Sequence, residues 1–500
     1  VTLVAQRNFT TKSSYYSSIP QILFDNKDTN EYEILLKESF LSTEYLEPIR
    51  LAYKLAISSY VSLYNFYKKT DEEINIDLFF CDFFANDPCF DLAWKLGKPV
   101  VGFSSNIYPF SFTPYKSDPL FGCPVNMEIE SFYNRFKCVL ISPLQSIGIM
   151  IAYINDLNVQ RAKVGIEPNW DLKSRTSNIL MLYHNFFGFE IPSAESPLHQ
   201  HIGPILPEEY PSLTPALNLF LANNPRTIYF AIGTFGTLSP QNIFTLLKSF
   251  LELINQGIID GVIWATVLTN TKELLSLTES DITLSTILNN NNPHIHLIEY
   301  APQVAILSHK NTKLFLSHGG ASSSHESMYY AKPMLILPVL GDQLGNAEKL
   351  ELAGIALKVS KDNLDVNDII SKVKRLLNEE SFKKNAKRLQ FLAKVNSKRK
   401  YRAADLIEVV LNTAMHEGFK DENGTFKIDN KILLRDWITP SSRMGFIRGN
   451  YLDVYGVAIM LFLTLIGGFG YTLFKITKFF YTKCINGNSN SHESLKPKVE

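Results

Sequence analysis

The chain reads as an α/β protein built on parallel, doubly wound sheets, and three observations predict this. Short β-branched and aromatic runs, Thr227-Ile228-Tyr229-Phe230-Ala231-Ile232, Val262-Ile263-Trp264-Ala265-Thr266-Val267 and His294-Ile295-His296-Leu297-Ile298, alternate with helical stretches. Glycines follow such runs at Gly233, Gly236, Gly319 and Gly320, where strands turn towards helices. A proline-punctuated connector, Ile202-Gly203-Pro204-Ile205-Leu206-Pro207 with Pro211 and Pro215 beyond it, divides two α/β halves. With 500 residues, 45% of them hydrophobic, each half has enough apolar side chain for its own core.

Taken in order, Val1-Thr2-Leu3-Val4-Ala5 reads as a strand. Asp77-Leu78-Phe79-Phe80-Cys81-Asp82 is an apolar strand ending in a carboxylate, followed by a helix through Leu92-Ala93-Trp94-Lys95-Leu96-Gly97 and the strand Pro99-Val100-Val101-Gly102-Phe103. Aromatic residues then crowd together at Tyr108, Phe110, Phe112, Tyr115, Phe121, Phe132, Tyr133 and Phe136. A pocket for a lipophilic compound, core packing and contact with a membrane surface would all draw on such a cluster, and these readings stay open.

The most informative stretch follows the connector: Tyr300-Ala301-Pro302-Gln303, then Phe315-Leu316-Ser317-His318-Gly319-Gly320-Ala321-Ser322-Ser323-Ser324-His325-Glu326, Lys332-Pro333 and Gly341-Asp342-Gln343. It reads as a buried strand, a glycine turn and a helix opening on small hydroxyl residues. Such a turn offers unpaired backbone N–H groups and the positive end of a helix dipole, and the expected guest is a nucleoside diphosphate. Individually, Glu326 could be a solvated helix residue, Asp342 a turn former and Thr234 part of a plain strand–turn.

The order and spacing of this stretch resemble the donor motif of the UDP-glucuronosyl/UDP-glucosyltransferase family, membrane-anchored GT-B enzymes that move a sugar from a UDP-sugar to an acceptor. The resemblance implies two facing Rossmann-like domains with the reaction between them. It implies that Tyr300 stacks on uracil and Gln303 binds the uridine. His318, Gly320, Ser322 and Ser323 would hold the pyrophosphate with help from Thr234, Glu326 would accept from the ribose hydroxyls, and Asp342 with Gln343 would grip the sugar. Tyr300 replaces the family's usual Trp, and Ala321-Ser322 replaces a common Asn-bearing pair, so the donor class is implied more sharply than the sugar.

By the same resemblance Asp82 orients a histidine base, which removes the proton of the acceptor hydroxyl as the anomeric carbon inverts. The first histidine is His184, whereas the family carries its base in the first strand–loop. The expectation is therefore that the strand, loop and helix bearing the base precede Val1 in a longer chain, together with a signal peptide. Asp87 or Asp91 could stand in, although no spacing favours either. The competing expectation is a sugar-nucleotide-binding membrane subunit that completes a catalytic partner. No Asp-x-Asp pair occurs, so metal independence is expected, and no cofactor beyond the UDP-sugar substrate.

Val454 to Phe474 is an uncharged apolar run of membrane-spanning length, preceded by Asp453 and followed by Lys475, Lys478 and Lys483. The positive-inside rule places the short tail in the cytoplasm, with Arg443 and Arg448 pulling the other way. Tyr451-Leu452-Asp453-Val454-Tyr455-Gly456 resembles the juxtamembrane entry of the family's endoplasmic-reticulum members, which implies a type I protein with a lumenal body. Asn8-Phe9-Thr10 and Asn423-Gly424-Thr425 are candidate glycosylation sites. Cys81 reads as a buried strand residue, one bridge is expected among Cys89, Cys123 and Cys138, and Cys484 is a candidate for palmitoylation. Lys plus Arg equals Asp plus Glu at 49 each, which argues against a nucleic-acid partner; Lys398-Arg399-Lys400 reads as a solvated helix face. The expected partners are a UDP-sugar, a lipophilic hydroxyl acceptor and the membrane, with homo-oligomerisation left open. The expected organisation is an acceptor domain over 1–201, a linker over 202–220, a donor domain over 221–415, a juxtamembrane segment over 416–453, a membrane helix over 454–474 and a tail over 475–500.

Overall fold

The computed structural model describes residues 1–6, 18–24, 47–84, 86–105, 123–126, 128–171, 178–192, 195–234, 236–267, 269, 271–276 and 282–489. The Asn8 sequon and the aromatics Tyr108, Phe110, Phe112, Tyr115 and Phe121 lie outside the described residues. Val1–Arg435 forms one compact unit and the segment from Asp436 another.

The C-terminal half is a six-stranded parallel sheet of β7 (Thr227–Ala231), β8 (Gly261–Ala265), β9 (Ile295–Ile298), β10 (Thr312–Ser317), β11 (Met334–Ile336) and β12 (Ala356–Lys358), in the order β12-β11-β10-β7-β8-β9. Chain direction across the sheet reverses between β7 and β10, the topological switch point where doubly wound folds bind ligands. The strands read as continuous apolar runs because both faces are covered. Ile228, Phe230, Val262, Trp264, Leu314 and Leu316 join one core, with the helices Pro240–Asn255 and Val366–Asn378. The alternate residues Tyr229, Ala231, Ile263, Ala265 and Phe315 join the other, with Ala321–Tyr329, Gln343–Leu352 and Glu380–Asn396. Burying one Phe or Leu side chain there contributes roughly 1.5–3 kcal/mol.

The N-terminal half carries a parallel pair, β1 (Leu3–Gln6) and β2 (Gln21–Phe24). It also carries a four-stranded parallel sheet of β3 (Phe79–Asp82), β4 (Val100–Ser104), β5 (Leu180–Tyr183) and β6 (His199–His201), in sequential order. Its core packs Tyr60, Leu92, Val100, Leu157 and Met181. Cys81 is bridged to Cys89, and Cys123 to Cys138. The expectation of a single bridge that leaves Cys81 out is thus corrected: the turn from β3 into the helix Asp87–Leu96 brings Cys89 back over the strand. The connector leaves β6 against the end of β5, where Gly203 donates to the Asn185 carbonyl at 3.1 Å. A Cβ on Gly203 would sit 2.5 Å from the Asn185 nitrogen. After the helix Arg399–Glu417 the chain returns to the N-terminal half, where Ile428 donates to the Gly97 carbonyl at 2.8 Å and Asn430 to the Lys98 carbonyl at 2.9 Å.

In the terminal unit Leu452–Ser489 is one helix, longer at both ends than the apolar run read from sequence. Its stretch Leu452–Cys484 is long and apolar enough to cross a membrane.

Candidate active site

β10 delivers the chain to the switch point with Ser317 fully buried. The Ser317 hydroxyl accepts from the Gly319 amide at 3.2 Å and so shapes the turn. Gly319 has φ +84, a backbone region that favours glycine, and Gly320 is the N-cap of the nine-residue helix Ala321–Tyr329. The N–H groups of the helix's first turn lie where β10 and β7 part.

His318 is clamped between two glycines. A Cβ on Gly320 would lie 2.4 Å from its Nε2, and one on Gly233, in the loop after β7, 2.9 Å from the same atom. Only bare backbone leaves room for the ring. Desolvation pushes the His318 pKa down to about 4, so the ring is neutral at pH 7 and can donate one hydrogen bond without carrying charge. Thr234 follows Gly233 and is exposed, as is Ser322 in the helix's first turn.

A second cluster forms where the helix Gln303–Ser308 meets the glycine-turn helix. Gln303 Nε2 donates to Glu326 Oε2 at 2.7 Å and to the Ser323 hydroxyl at 3.2 Å, while the Tyr229 hydroxyl donates to Gln303 Oε1 at 3.2 Å. Residues separated by 74 positions in sequence thus join through one amide. Burial raises the pKa of Glu326, and the bond from Gln303 partly offsets that shift. A desolvated carboxylate held by a neutral amide is well suited to accept from two neighbouring hydroxyls. Tyr300, three residues before Gln303, leaves its ring 73% exposed and able to stack.

The third cluster opens the helix Gln343–Leu352. Gln343 Oε1 accepts from the Val339 and Leu340 amides at 2.8 and 2.9 Å, which directs donors to its oxygen and leaves Nε2 as the group that can donate. Asn346 Nδ2 bridges Asp342 Oδ2 at 2.6 Å and the Gly319 carbonyl at 3.0 Å, so it ties this loop to the glycine turn. Asn346, Tyr229 and Ser317 were not read from the sequence. Asn346 sits one helical turn after Asp342, the signal that could have found it.

The structure therefore brings His318 and Gly320 together with Gly233, the residue before Thr234. It joins Gln303, Ser323 and Glu326, and it links Asp342 to the turn. Asp82 lies elsewhere, at the carboxyl end of β3 in the N-terminal half. It is exposed there and accepts from the Phe84 amide at 3.0 Å. Desolvation by the surrounding chain nevertheless raises its pKa, while the Phe84 and Phe83 amides partly offset this. Asp91 is no substitute base: it is 1% exposed and takes Arg161 Nε and the Tyr60 hydroxyl, each at 2.6 Å. Asp87 accepts from the Tyr153 hydroxyl at 2.5 Å. His325 is fully buried and shares a 3.2 Å hydrogen bond with His184, in agreement with a structural role.

Two α/β halves on parallel sheets, the second with a glycine turn at its switch point, are the architecture of the GT-B class of glycosyltransferases. Solved structures with this fold include the glycotransferase of kitacinnamycin, with TM-score 0.55 and 17% identity over 79% of this chain and 87% of that one. CalG4, the calicheamicin glycosyltransferase, follows with TM-score 0.52 and 16% identity over 81% and 89%. Residues 178–418 match the family model described as UDP-glucoronosyl and UDP-glucosyl transferase. A UDP-glycosyltransferase of Talaromyces amestolkiae is 32% identical over 80% of this chain and 76% of its own length. UDP-glycosyltransferase 1 of Phaeomoniella chlamydospora is 35% identical over 76% and 77%. The chain belongs to this family, and its class of reaction is transfer of a sugar from a UDP-sugar to an acceptor.

Proposed function

We propose that the chain transfers a hexosyl group, with inversion, from a UDP-sugar to a hydroxyl of a lipophilic small molecule or lipid, as a single-pass membrane protein. The observation that carries the reading is the Tyr229–Gln303–Glu326 chain of hydrogen bonds beside the glycine-clamped His318. Uracil stacks on Tyr300 with Gln303 below it, and the ribose hydroxyls donate to Glu326. The diphosphate takes the helix N–H groups, His318 and the hydroxyls of Ser322, Ser323 and Thr234. Asp342 and the Gln343 Nε2 hold the sugar. As the anomeric carbon is attacked, negative charge grows on the departing UDP, where the helix end and the neutral His318 already donate. Asp82 orients a histidine base, and neither metal nor cofactor is required.

The helix Leu452–Ser489 supports a membrane anchor. The two disulfides and the exposed Asn423 in its hairpin turn support a lumenal body in the endoplasmic reticulum. A second reading, a UDP-sugar-binding subunit that completes a partner enzyme, is favoured by Asp82, whose carboxylate accepts from the Phe84 backbone amide and, among the described residues, meets no histidine.

Calorimetric titration of the detergent-solubilised chain with UDP, ADP and a panel of UDP-sugars tests the donor site. Selective UDP binding strengthened by one sugar is the expected result, and no UDP binding by a folded sample would sink both readings. Turnover of that UDP-sugar with a lipophilic alcohol then separates enzyme from subunit.

A further inference from the structure

We infer that Lys349 is a positioning residue for the donor sugar: through an ion pair with Glu190 of the N-terminal half, it sets the helix that opens on Asp342 and Gln343. The inference rests on the proposed placement of the sugar on those two residues.

β5 leaves the N-terminal sheet at Tyr183, and the segment that follows, from His184 to Glu190, reaches into the C-terminal half. Its Phe186 and Phe189 share a core with Ala347 and Leu350 of the helix Gln343–Leu352. At the end of the segment Glu190, whose side chain is 1% exposed, accepts from Lys349 Nζ at 2.7 Å and from Asn185 Nδ2 at 2.8 Å, both on Oε2. Its Oε1 accepts from the Ile191 amide at 3.2 Å. At the start of the segment His184 meets His325 of the glycine-turn helix. One short stretch thus holds both the helix that begins at the glycine turn and the helix that begins at Asp342. On the second helix Asp342, Asn346 and Lys349 follow at spacings of four and three and share one face. The ion pair fixes that face where Asn346 reaches both Asp342 Oδ2 and the Gly319 carbonyl. Stability alone does not call for such a pair. A buried ion pair replaced on both sides by uncharged groups is often no less stable, whereas loss of one partner leaves a buried charge unanswered. What the pair adds is direction: with both Glu190 oxygens held, the ammonium has one place to sit, and the helix cannot slide or turn without breaking the contact.

The test is calorimetry on the detergent-solubilised full chain, read as the preference for the UDP-sugar that wild type binds best over UDP itself. Lys349→Met should lower the urea midpoint, and Glu190→Gln combined with Lys349→Met should restore most of it. In both variants UDP affinity should stay within about twofold of wild type, while the preference for the UDP-sugar falls at least about fivefold. Lys349→Arg, which keeps a charged donor for Glu190, should hold the preference within about twofold. Asp342→Asn is the reference, because it alters the sugar grip directly. A preference lost in Asp342→Asn but intact in the double variant overturns the inference and leaves the grip standing. A preference lost equally in Lys349→Arg, or a parallel fall in UDP affinity, also overturns it, because the pair would then act only on the fold. An unchanged preference in Asp342→Asn, or none in wild type, overturns the placement of the sugar and the inference with it.

Discussion

Replacing Glu326 by Gln probes the centre of the donor site with little change in side-chain volume. In the folded chain the Glu326 carboxylate receives the Gln303 amide at 2.7 Å, and burial, partly offset by that bond, raises its pKa. Two ribose hydroxyls would add two charge-assisted hydrogen bonds, each contributing about 1.5–3 kcal/mol against about 1 kcal/mol for a neutral one. With an amide in place, one ribose bond survives as a neutral bond and the other must reverse direction. The expected loss in UDP affinity is about 2.5 kcal/mol, or roughly 60-fold. The control is 2′,3′-dideoxy-UDP, whose affinity should be nearly equal for wild type and variant. Stability supplies the complementary sign. Because the folded pKa of Glu326 is raised, the ionised side chain opposes folding above that pKa, so the ligand-free variant should be as stable as wild type at pH 7 or more so. Calorimetry with both nucleotides and urea denaturation without ligand give the three readings. A loss below about threefold, or an equal loss for the dideoxy nucleotide, would refute the placement of the ribose on Glu326.

Gly320→Ala brings a methyl to 2.4 Å from the clamped His318 ring, so the melting temperature should fall, and UDP affinity of the folded fraction should drop at least about tenfold as the ring is displaced. Asp91→Asn leaves the buried Arg161 with only the more distant Asp87, at 3.9 Å, as counter-charge; urea unfolding should show a loss of up to about 3–5 kcal/mol, with UDP affinity of the folded fraction unchanged. His318 and His184 each titrate near pH 4 when folded, against 6.5 unperturbed. Between those values the unfolded chain binds more protons, so their contribution is complete above pH 6.5 and falls, by up to about 3 kcal/mol each, as pH drops towards 4. His318→Asn should flatten that slope in denaturant titrations, and an unaltered slope would contradict the burial of the ring.

Legibility from sequence followed how local the cause was. The strands of the six-stranded sheet were readable because a sheet covered on both faces calls for a near-continuous apolar run, as in Thr227–Ala231, where all five residues are buried and four follow Thr227 as Ile, Tyr, Phe and Ala. The glycine turn was readable because its constraints lie within four residues: a positive φ at Gly319 and a ring pressed on Gly320. What stayed hidden depends on contacts across the chain. Nothing near Tyr229 announces that its hydroxyl meets Gln303, and nothing near Cys81 shows that the following helix returns Cys89 to it.

The same interactions explain why the site fell at the switch point and why it is poised to take a ligand. Two of its groups are buried at a cost. Burial forces His318 neutral, and Glu326 is desolvated with a neutral amide as its hydrogen-bond donor. These features persist because the two cores on either side of the sheet hold β7 and β10 in register, Leu316 against Phe230 and Ser317 against Ala231. On the proposed placement of the donor, a diphosphate would resolve the first problem by accepting from the neutral ring and the helix end, and a ribose the second by donating to the carboxylate. Both halves of the nucleotide are needed to satisfy both groups. On that placement, selectivity for a whole nucleoside diphosphate would follow from the neutral His318, the helix end and Glu326 acting together.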